Sequence, residues 1–185
     1  LFRIWKKSLV YKWSDIVPQP GGSIGSGSFG SVFVAKSGKR PVVDSNESRA
    51  SFVVKKILNK EALEQKIFLK EARILKRITS EYVIKLIGIC LVPSALILEY
   101  VYFDFKPFGA EVKFSSLDQF LKYNDREDQV GKFPVYVKIS LDISRGLLYL
   151  HEWGIVHRDI RPGNVLVSNQ HYSNLKEEEV CYCFW

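Results

Sequence analysis

Apolar and polar residues alternate over residues 1 to about 60, and the apolar positions are rich in β-branched and aromatic side chains. The segments SVFVA at residues 31–35 and SFVVK at residues 51–55 show this alternation. A period of two residues is typical of strands with one buried face, so this part of the chain is predicted to form antiparallel strands. Residues 36–50 between the two segments carry Gly, Pro, Asp, Asn and Ser and are predicted to form an extended turn.

From residue 60 onward the apolar spacing changes to the helical period. Helices are predicted at residues 60–78, 117–123 and 134–152, and two short apolar strands at residues 82–101, on either side of Pro93. Residues 102–116 are rich in aromatic side chains and are expected to form a loop. Strands followed by helices indicate the α+β class, with an antiparallel sheet first and a mainly helical part after it.

Composition narrows the class of protein. The 185 residues are 46% hydrophobic and 25% charged, as in an ordinary soluble globular protein. No apolar run reaches the ~18 residues that a membrane span needs, so no span is expected and the cytoplasm is the expected compartment. The net charge of +7 is scattered along the chain, which argues against a nucleic-acid partner.

The three cysteines give no sign of a disulfide framework or a zinc site. Cys90 lies in an apolar stretch and is expected in the core. Cys181 and Cys183 form a lone pair near the end of the chain, without the further ligands that zinc requires.

Gly25, Gly27 and Gly30 follow the spacing G-x-G-x-x-G within the stretch IGSGSFGSVFV. Glycine lets a backbone approach phosphate oxygens closely, and this spacing occurs in dinucleotide-binding turns as well as in hairpins that cover phosphates. A dinucleotide-binding turn opens a helix, whereas here the glycines are followed by alternating, β-branched residues. A hairpin over phosphates is therefore the preferred interpretation.

Lys55 ends an apolar strand, and Glu71 lies on the next predicted helix. The apolar neighbours of Glu71 at helical spacing are Ile67, Ile74, Leu75 and Ile78. A carboxylate on an apolar stripe needs a cationic partner, because burying it unpaired is costly. Lys55 is the expected partner and could also reach phosphate oxygens. The alternative is a solvated ion pair near the edge of the sheet.

The segment WGIVHRDIRPGNVLV, which follows the last predicted helix, places His157, Arg158 and Asp159 in succession and Asn164 five residues after the aspartate. A carboxylate near an incoming hydroxyl and an oxygen ligand for Mg²⁺ are the groups that phosphoryl transfer requires, since its catalysis is largely positioning and charge neutralisation. Taken singly, His157 is better explained as a packed structural histidine than as a base.

In their order and spacing these features resemble the motifs of eukaryotic protein kinases over roughly residues 18–168. The resemblance implies a protein-kinase fold, ATP and Mg²⁺ as cofactors, and a protein substrate. It implies that the glycines cover the ATP phosphates, that Lys55 binds phosphate with Glu71 as its partner, that Asp159 is the catalytic base and that Asn164 is a metal ligand. The residues that it places around adenine are Ile24, Val32, Val53, the gatekeeper Leu98, the hinge residues Glu99, Tyr100 and Val101, and Leu166.

The same resemblance divides the chain into segments. They are an N-terminal extension at residues 1–17, an N-lobe with hinge at 18–101, an insert at 102–116, a partial C-lobe at 117–168 and an atypical tail at 169–185. Arg161, two residues after Asp159, is a further candidate catalytic residue. Serine/threonine kinases usually carry Lys there and some tyrosine kinases Arg, so the tyrosine-kinase or tyrosine-kinase-like branch is favoured.

Two features depart from the kinase pattern. Val53 stands where the family usually has Ala, which adds two methyl groups at the adenine pocket. No Asp-Phe-Gly follows Asn164, although the aspartate of that motif binds Mg²⁺, and no activation loop follows either. The chain also begins with Leu and contains no Met. We therefore expect a C-terminally truncated fragment that is inactive alone.

Without the remainder of a C-lobe, Ile143, Leu147 and Leu150 of the last predicted helix are expected to expose an apolar face that a partner protein could cover. Two alternatives to a catalytic fragment stay open. One is an ATP-binding, non-catalytic module of the pseudokinase kind that works through this face. The other is a basic interaction protein in which the kinase features are relics.

Overall fold

The structure is a computed structural model, and it describes residues 7–27, 30–38, 51–57, 62–124, 133–169 and 181–184. The chain divides into two compact units, one of Leu1–Ile78 with Lys85–Tyr100 and the other of Thr79–Ile84 with Val101–Trp185. Most of the extended turn that the sequence predicts at residues 36–50 lies outside the described residues.

The first unit is built on a six-stranded sheet in the order β1-β5-β6-β4-β3-β2. Its strands are β1 (Val10–Tyr11), β2 (Ile16–Gly27), β3 (Gly30–Ser37), β4 (Ser51–Ile57), β5 (Leu86–Leu91) and β6 (Ser94–Glu99). The predicted antiparallel pairing is confirmed for β2, β3 and β4. It is wrong for β1, which pairs with β5 in parallel. The two strands are far apart in the chain, so no tight hairpin turn requires them to be antiparallel.

Successive side chains of β4 point to opposite faces of this sheet. Phe52 and Val54 are completely buried in a hydrophobic core on one face, with Cys90 also buried there as the sequence predicts. Burial raises the pKa of the Cys90 thiol above its usual value. Val53 and Lys55 point to the opposite face, because successive side chains of a strand alternate.

Helix α1 (Ala62–Arg77) contacts β5 and β6. Its buried side chains are Phe68 and Ala72, whereas Ile67 is 56% exposed. The predicted apolar stripe through Ile67 is therefore wrong. The larger apolar side chain of Phe68 takes the sheet-facing position, so Glu71 lies beside the buried stripe and is half-buried.

The second unit contains two helices, α2 (Leu117–Asn124) and α3 (Phe133–Glu152). Both lie within one residue of the bounds that the sequence predicts. The unit also contains the strand pairs β7 (Phe103–Asp104) with β8 (Lys113–Phe114) and β9 (Val165–Ser168) with β10 (Cys181–Phe184). Its core consists of Phe103, Phe105, Leu117, Phe120, Ile139, Val165 and Val167.

The aromatic segment at residues 102–116 is a small hairpin rather than the expected loop. Phe103 on β7 lies opposite Phe114 on β8, and the Phe105 N–H donates to the carbonyl of Val112. Gly109 supplies a left-handed backbone conformation, with φ of 85°, where the chain reverses. Ring packing of the segment against α2 explains its high aromatic content.

The predicted exposure of Ile143, Leu147 and Leu150 is wrong. Leu150 is buried, and Ile143 and Leu147 pack partly buried against the core of the second unit. Helix α3 has apolar side chains on more than one side, and the side that carries these residues is the one that meets the core. Among the helix residues whose side chains the structure describes, Val137, Leu141 and Leu148 are the exposed large apolar ones.

The end of the described chain adds a strand that the sequence pattern does not predict. Strand β10 pairs antiparallel with β9, with Cys181 opposite Ser168, and it lies against α3. Among the described residues, none of the helices combines the length and the apolar character that crossing a bilayer demands.

The docking of the N-terminal segment on the sheet edge yields a stability prediction. A Cβ at Gly88 would lie 2.6 Å from Cε2 of Tyr11 and 2.7 Å from the carbonyl oxygen of Leu9. Gly88→Ala should therefore lower the free energy of unfolding by about 1–3 kcal/mol, the typical cost of overpacking. Urea titration would measure the change. Gly163→Ala is the control, because a Cβ there meets nothing within 4 Å, and equal stability of the two variants would contradict the prediction.

Candidate active site

The glycine-rich stretch forms a hairpin. Strand β2 pairs antiparallel with β3, with Gly25 opposite Val32 and Gly27 opposite Gly30. The chain after Gly30 continues as a strand, which excludes a helix opening at this turn. The hairpin that the sequence predicts is thus present, although residues 28–29 at its tip lie outside the described residues.

Gly30 cannot carry a side chain in this position. Its φ is 136°, and a Cβ would lie 1.9 Å from the carbonyl oxygen of Lys56 on β4. Gly25 differs, because a Cβ there would meet nothing within 4 Å. Gly30 is therefore required by the packing of the sheet itself, whereas the space beside Gly25 is open to an approaching group.

Lys55 and Glu71 form the predicted ion pair. Lys55 Nζ lies 2.8 Å from Glu71 Oε1, and the two side chains are 24% and 34% exposed. Such a partly buried pair is neither fully solvated nor isolated from water. It holds the ammonium group on the face of the sheet that also carries Val32 and Leu96, the cross-strand neighbours of Lys55.

Three of the residues expected around adenine in the first unit, Val32, Val53 and Leu98, share this face. Val53 lies opposite both Val34 and Leu98, and Val53 and Leu98 are buried. Ile24 is exposed, and Val32 is half-buried. The side chain of Glu99 is engaged elsewhere, because its Oε1 accepts the N–H of Lys85 at 2.6 Å. The backbone N–H of Glu99 is engaged as well, because it donates to the Lys85 carbonyl oxygen at 3.1 Å.

Two predicted adenine residues belong to the second unit. Val101 and Leu166 are both buried there. Leu166 lies on β9 and forms an isolated β-bridge with Ser116.

The loop before β9 brings Asp159, Arg161 and Asn164 together. Asn164 Nδ2 donates to Asp159 Oδ2 at 2.7 Å and to the Asp159 carbonyl oxygen at 2.9 Å. Arg161 Nε lies 3.2 Å from Asp159 Oδ1. The side chains of Asp159 and Arg161 are more than half exposed, so the carboxylate is held in position yet open to solvent.

The backbone of this loop is constrained on both sides of Asp159. Arg158 adopts a φ of 68°, which is uncommon for a residue other than glycine, and the Asp159 N–H donates to Nδ1 of His157 at 3.3 Å. Asn164 ends a short 3-10 turn, where its N–H donates to the Arg161 carbonyl at 2.8 Å. His157 therefore orients the loop, in agreement with a structural role.

The side-chain oxygens of this loop could bind a cation only together with ligands from another molecule. No group of three or more His, Cys, Asp or Glu side chains occurs among the described residues. The loop offers one carboxylate, Asp159, and the amide oxygen of Asn164. Mg²⁺ is usually bound by one or two carboxylates together with substrate phosphates and water, so this set fits Mg²⁺ carried by a nucleotide better than a resident ion.

The sequence patterns did not single out a buried charge on α3. Asp142 is completely buried, and it pairs with Lys138 one turn before it and with Arg145 Nη1 at 3.5 Å. The i,i+4 and i,i+3 spacings of these residues are the signal that could have identified the cluster. An amide that bridges two distant segments, Asn169, gave no local signal and was also missed.

The family described as "Protein tyrosine and serine/threonine kinase" matches residues 19–177. The chain belongs to this family. Over 150 residues the chain is 33% identical to the L-type lectin-domain containing receptor kinase V.4 of Arabidopsis thaliana. This match covers 80% of the chain and 20% of that protein. The chain is 31% identical over 151 residues to the tyrosine-protein kinase SPK-1 of Girardia tigrina, covering 79% and 26%.

A third relative, the tyrosine-protein kinase SYK of Gallus gallus, is 27% identical over 161 residues, which is 84% of this chain and 22% of that protein. The kinase-family chain thus spans about a fifth to a quarter of the length of these curated relatives. Tyrosine kinases and a receptor kinase are both among them.

The contribution of the Lys55–Glu71 ion pair to the stability of this kinase-family chain can be measured. Because both side chains are partly exposed, a double-mutant cycle of Lys55→Met and Glu71→Gln should give a coupling energy of only about 0.3–1 kcal/mol in urea unfolding. Purely additive single-variant effects would contradict the predicted coupling. The cycle needs no activity and therefore tests the geometry alone.

Proposed function

We propose that this chain is the nucleotide-binding part of a protein kinase, which transfers the γ-phosphoryl group of ATP to a hydroxyl of a protein substrate. The observation that carries the proposal is the 2.8 Å ion pair of Lys55 with Glu71, on the sheet whose first hairpin is the glycine-rich turn. Membership of the kinase family supports the same reaction class.

ATP would be held by features of different chemistry. The glycine-rich hairpin offers backbone N–H groups near open space at Gly25, and Lys55 offers a positive charge to phosphate oxygens. Because Glu71 fixes the Lys55 ammonium group, less side-chain freedom is lost when phosphate binds. The kinase pattern assigns adenine contacts to the side chains of Ile24, Val32, Val53 and Leu98 and the backbone of residues 99–100 in the first unit, and separately to Val101 and Leu166 in the second unit.

Asp159 is proposed as the base that receives the proton of the substrate hydroxyl. The oxygen of that hydroxyl forms a bond to the γ-phosphorus, and the bond from this phosphorus to the ADP oxygen breaks. The Asn164 and Arg161 contacts hold the Asp159 carboxylate in one orientation, and such preorganisation is how side chains contribute to phosphoryl transfer. Bound Mg²⁺ would neutralise phosphate charge, with the Asn164 amide oxygen as its ligand from this loop.

The absence of Asp-Phe-Gly from the 185 residues favours a second candidate. In that candidate the chain binds ATP and transfers no phosphoryl group, since the aspartate of that motif is a Mg²⁺ ligand in the family. It would then act as a non-catalytic module of the pseudokinase kind. A partner protein could associate with the exposed side chains Val137, Leu141 and Leu148 of α3.

The finer assignments follow from the family rather than from the site. Arg161 favours the tyrosine-kinase or tyrosine-kinase-like branch, and two of the three relatives described above are named tyrosine kinases. We propose the cytoplasm as the compartment, since ATP and Mg²⁺ are abundant there.

Two neighbouring lysines allow a matched test of nucleotide binding. Lys55→Met should weaken the binding of a fluorescent ATP analogue by about tenfold or more, because a charge-assisted contact is lost. Lys56→Met is the control, because Lys56 lies on the other face of β4, with its Nζ 5.4 Å from the centre of the Trp13 ring. Fluorescence titration would measure both. Equal affinity of the two variants would remove Lys55 from the binding site, and no binding by the unaltered chain would overturn the proposed function.

Asp159 should matter for transfer and not for binding. In a gene product that continues into Asp-Phe-Gly, Asp159→Asn should reduce turnover by about 10²–10⁴-fold, the usual contribution of a general base. Affinity for the ATP analogue should stay within about twofold, since the substitution keeps the size of the side chain. Labelled-phosphate transfer to a tyrosine- and serine-containing peptide mixture would measure turnover. Unchanged turnover would exclude Asp159 as the base.

A further inference from the structure

Asn169, the residue after β9, joins β7 to β9 by two hydrogen bonds. The Asp104 N–H donates to Asn169 Oδ1 at 2.9 Å, and Asn169 Nδ2 donates to the Asp104 carbonyl at 2.8 Å. A single side-chain amide therefore satisfies both backbone groups of a residue 65 positions earlier. Among side chains of this length, only an amide presents a donor and an acceptor together in this way.

The side chain of Asp104 makes the junction rigid. Its Oδ1 accepts the Lys106 N–H at 3.0 Å, and its Oδ2 lies 2.9 Å from Lys113 Nζ. The hydrogen bond from the Lys106 backbone and the Lys113 ammonium group both lower the pKa of Asp104. Lys113 Nζ also lies 4.6 Å from the centre of the Tyr102 ring. The start of the hairpin is thus tied to its end at the residue that Asn169 holds.

The end of the hairpin segment is tied to β9 as well. The Val167 N–H donates to the Ser115 carbonyl at 3.0 Å, and Ser116 forms a β-bridge with Leu166. Val165 and Val167 are buried in the same core as Phe103 and other rings of the second unit. Besides its pairing with β10, strand β9 is therefore held by hydrogen bonds from both ends of residues 102–116 and by the aromatic core along its length.

Strand β9 carries two residues of the proposed nucleotide site. Leu166 is on the strand, and Asn164 directly precedes it in the 3-10 turn that α2 contacts. A shift of β9 along or away from the hairpin would move both residues together. The position of these two groups thus depends on contacts made by a segment that takes no part in the chemistry.

We propose that Asn169 is a positioning residue for nucleotide binding, which acts by holding β7 to the end of β9 and so fixes Leu166 and Asn164. This inference rests on the proposed function. It assigns the aromatic segment at residues 102–116 the role of a support for the nucleotide site.

The test compares three variants of the whole chain. Asn169→Ala should weaken the binding of a fluorescent ADP analogue by about tenfold, which corresponds to about 1.4 kcal/mol. Lys113→Ala removes the ion pair to Asp104 and the contact with the Tyr102 ring but keeps both Asn169 hydrogen bonds, and it should weaken binding less, by about two- to fivefold, the effect expected for a half-exposed charge. Lys122→Ala removes the exposed ion pair to Asp118 on α2 and should leave affinity unchanged.

A separate comparison distinguishes positioning from general stability. Gly88→Ala, in the first unit, should lower the melting temperature without changing the affinity of the folded protein. Titrations are therefore made at a temperature where circular dichroism shows each variant to be folded. Hydrogen exchange at Val167 should accelerate in Asn169→Ala and stay unchanged in Gly88→Ala, whether or not nucleotide is present.

The possible results separate the two proposals. If the unaltered chain binds no nucleotide, the proposed function fails and the inference fails with it. If the unaltered chain binds and Asn169→Ala binds within twofold of it, the inference alone is overturned. If Asn169→Ala does not fold, Lys113→Ala decides, and an unchanged affinity in that variant overturns the inference. If Gly88→Ala loses as much affinity as Asn169→Ala at matched stability, the loss reflects general destabilisation and the inference is also overturned.

Discussion

The alternation of side chains along β4 is the constraint on which the first unit depends. Phe52 and Val54 must enter the hydrophobic core, so Val53 and Lys55 must point to the opposite face. An ammonium group is thereby placed on a largely apolar surface, where Glu71 from α1 partners it at 2.8 Å. A slip of one residue in the register of β4 would bury the charge and expose the core, so the packing of the core itself determines where the proposed phosphate ligand lies.

In the second unit, the proposed base Asp159 lies in an exposed loop rather than on a strand. Loops gain precision from hydrogen bonds within themselves and from the elements that flank them. Asn164 and Arg161 restrain the Asp159 carboxylate, and the hydrogen bond from Asp159 to His157 restrains the backbone. The loop then passes directly into β9, which is buried along its length. The position of the loop therefore depends on the position of this strand.

The aromatic segment at residues 102–116 supports that strand. Its rings pack against α2, its backbone pairs with β9 near Leu166, and Asp104 is held by Asn169. Variation in such supporting contacts can alter ligand affinity without any change in the residues that touch the ligand.

The sequence by itself determined the elements with a clear period and the chemistry of short motifs. The strands β2 to β6, the bounds of α2 and α3 and the pairing of Lys55 with Glu71 follow from local spacing, and the order of the motifs indicated the kinase family by resemblance. Only the tertiary structure decided which side of α3 is buried, why Ile67 is exposed while Phe68 is not, and that residues 102–116 form a hairpin. Those outcomes depend on contacts between residues far apart in the chain, such as Asp104 with Asn169, and no local pattern encodes which of several apolar faces finds a partner.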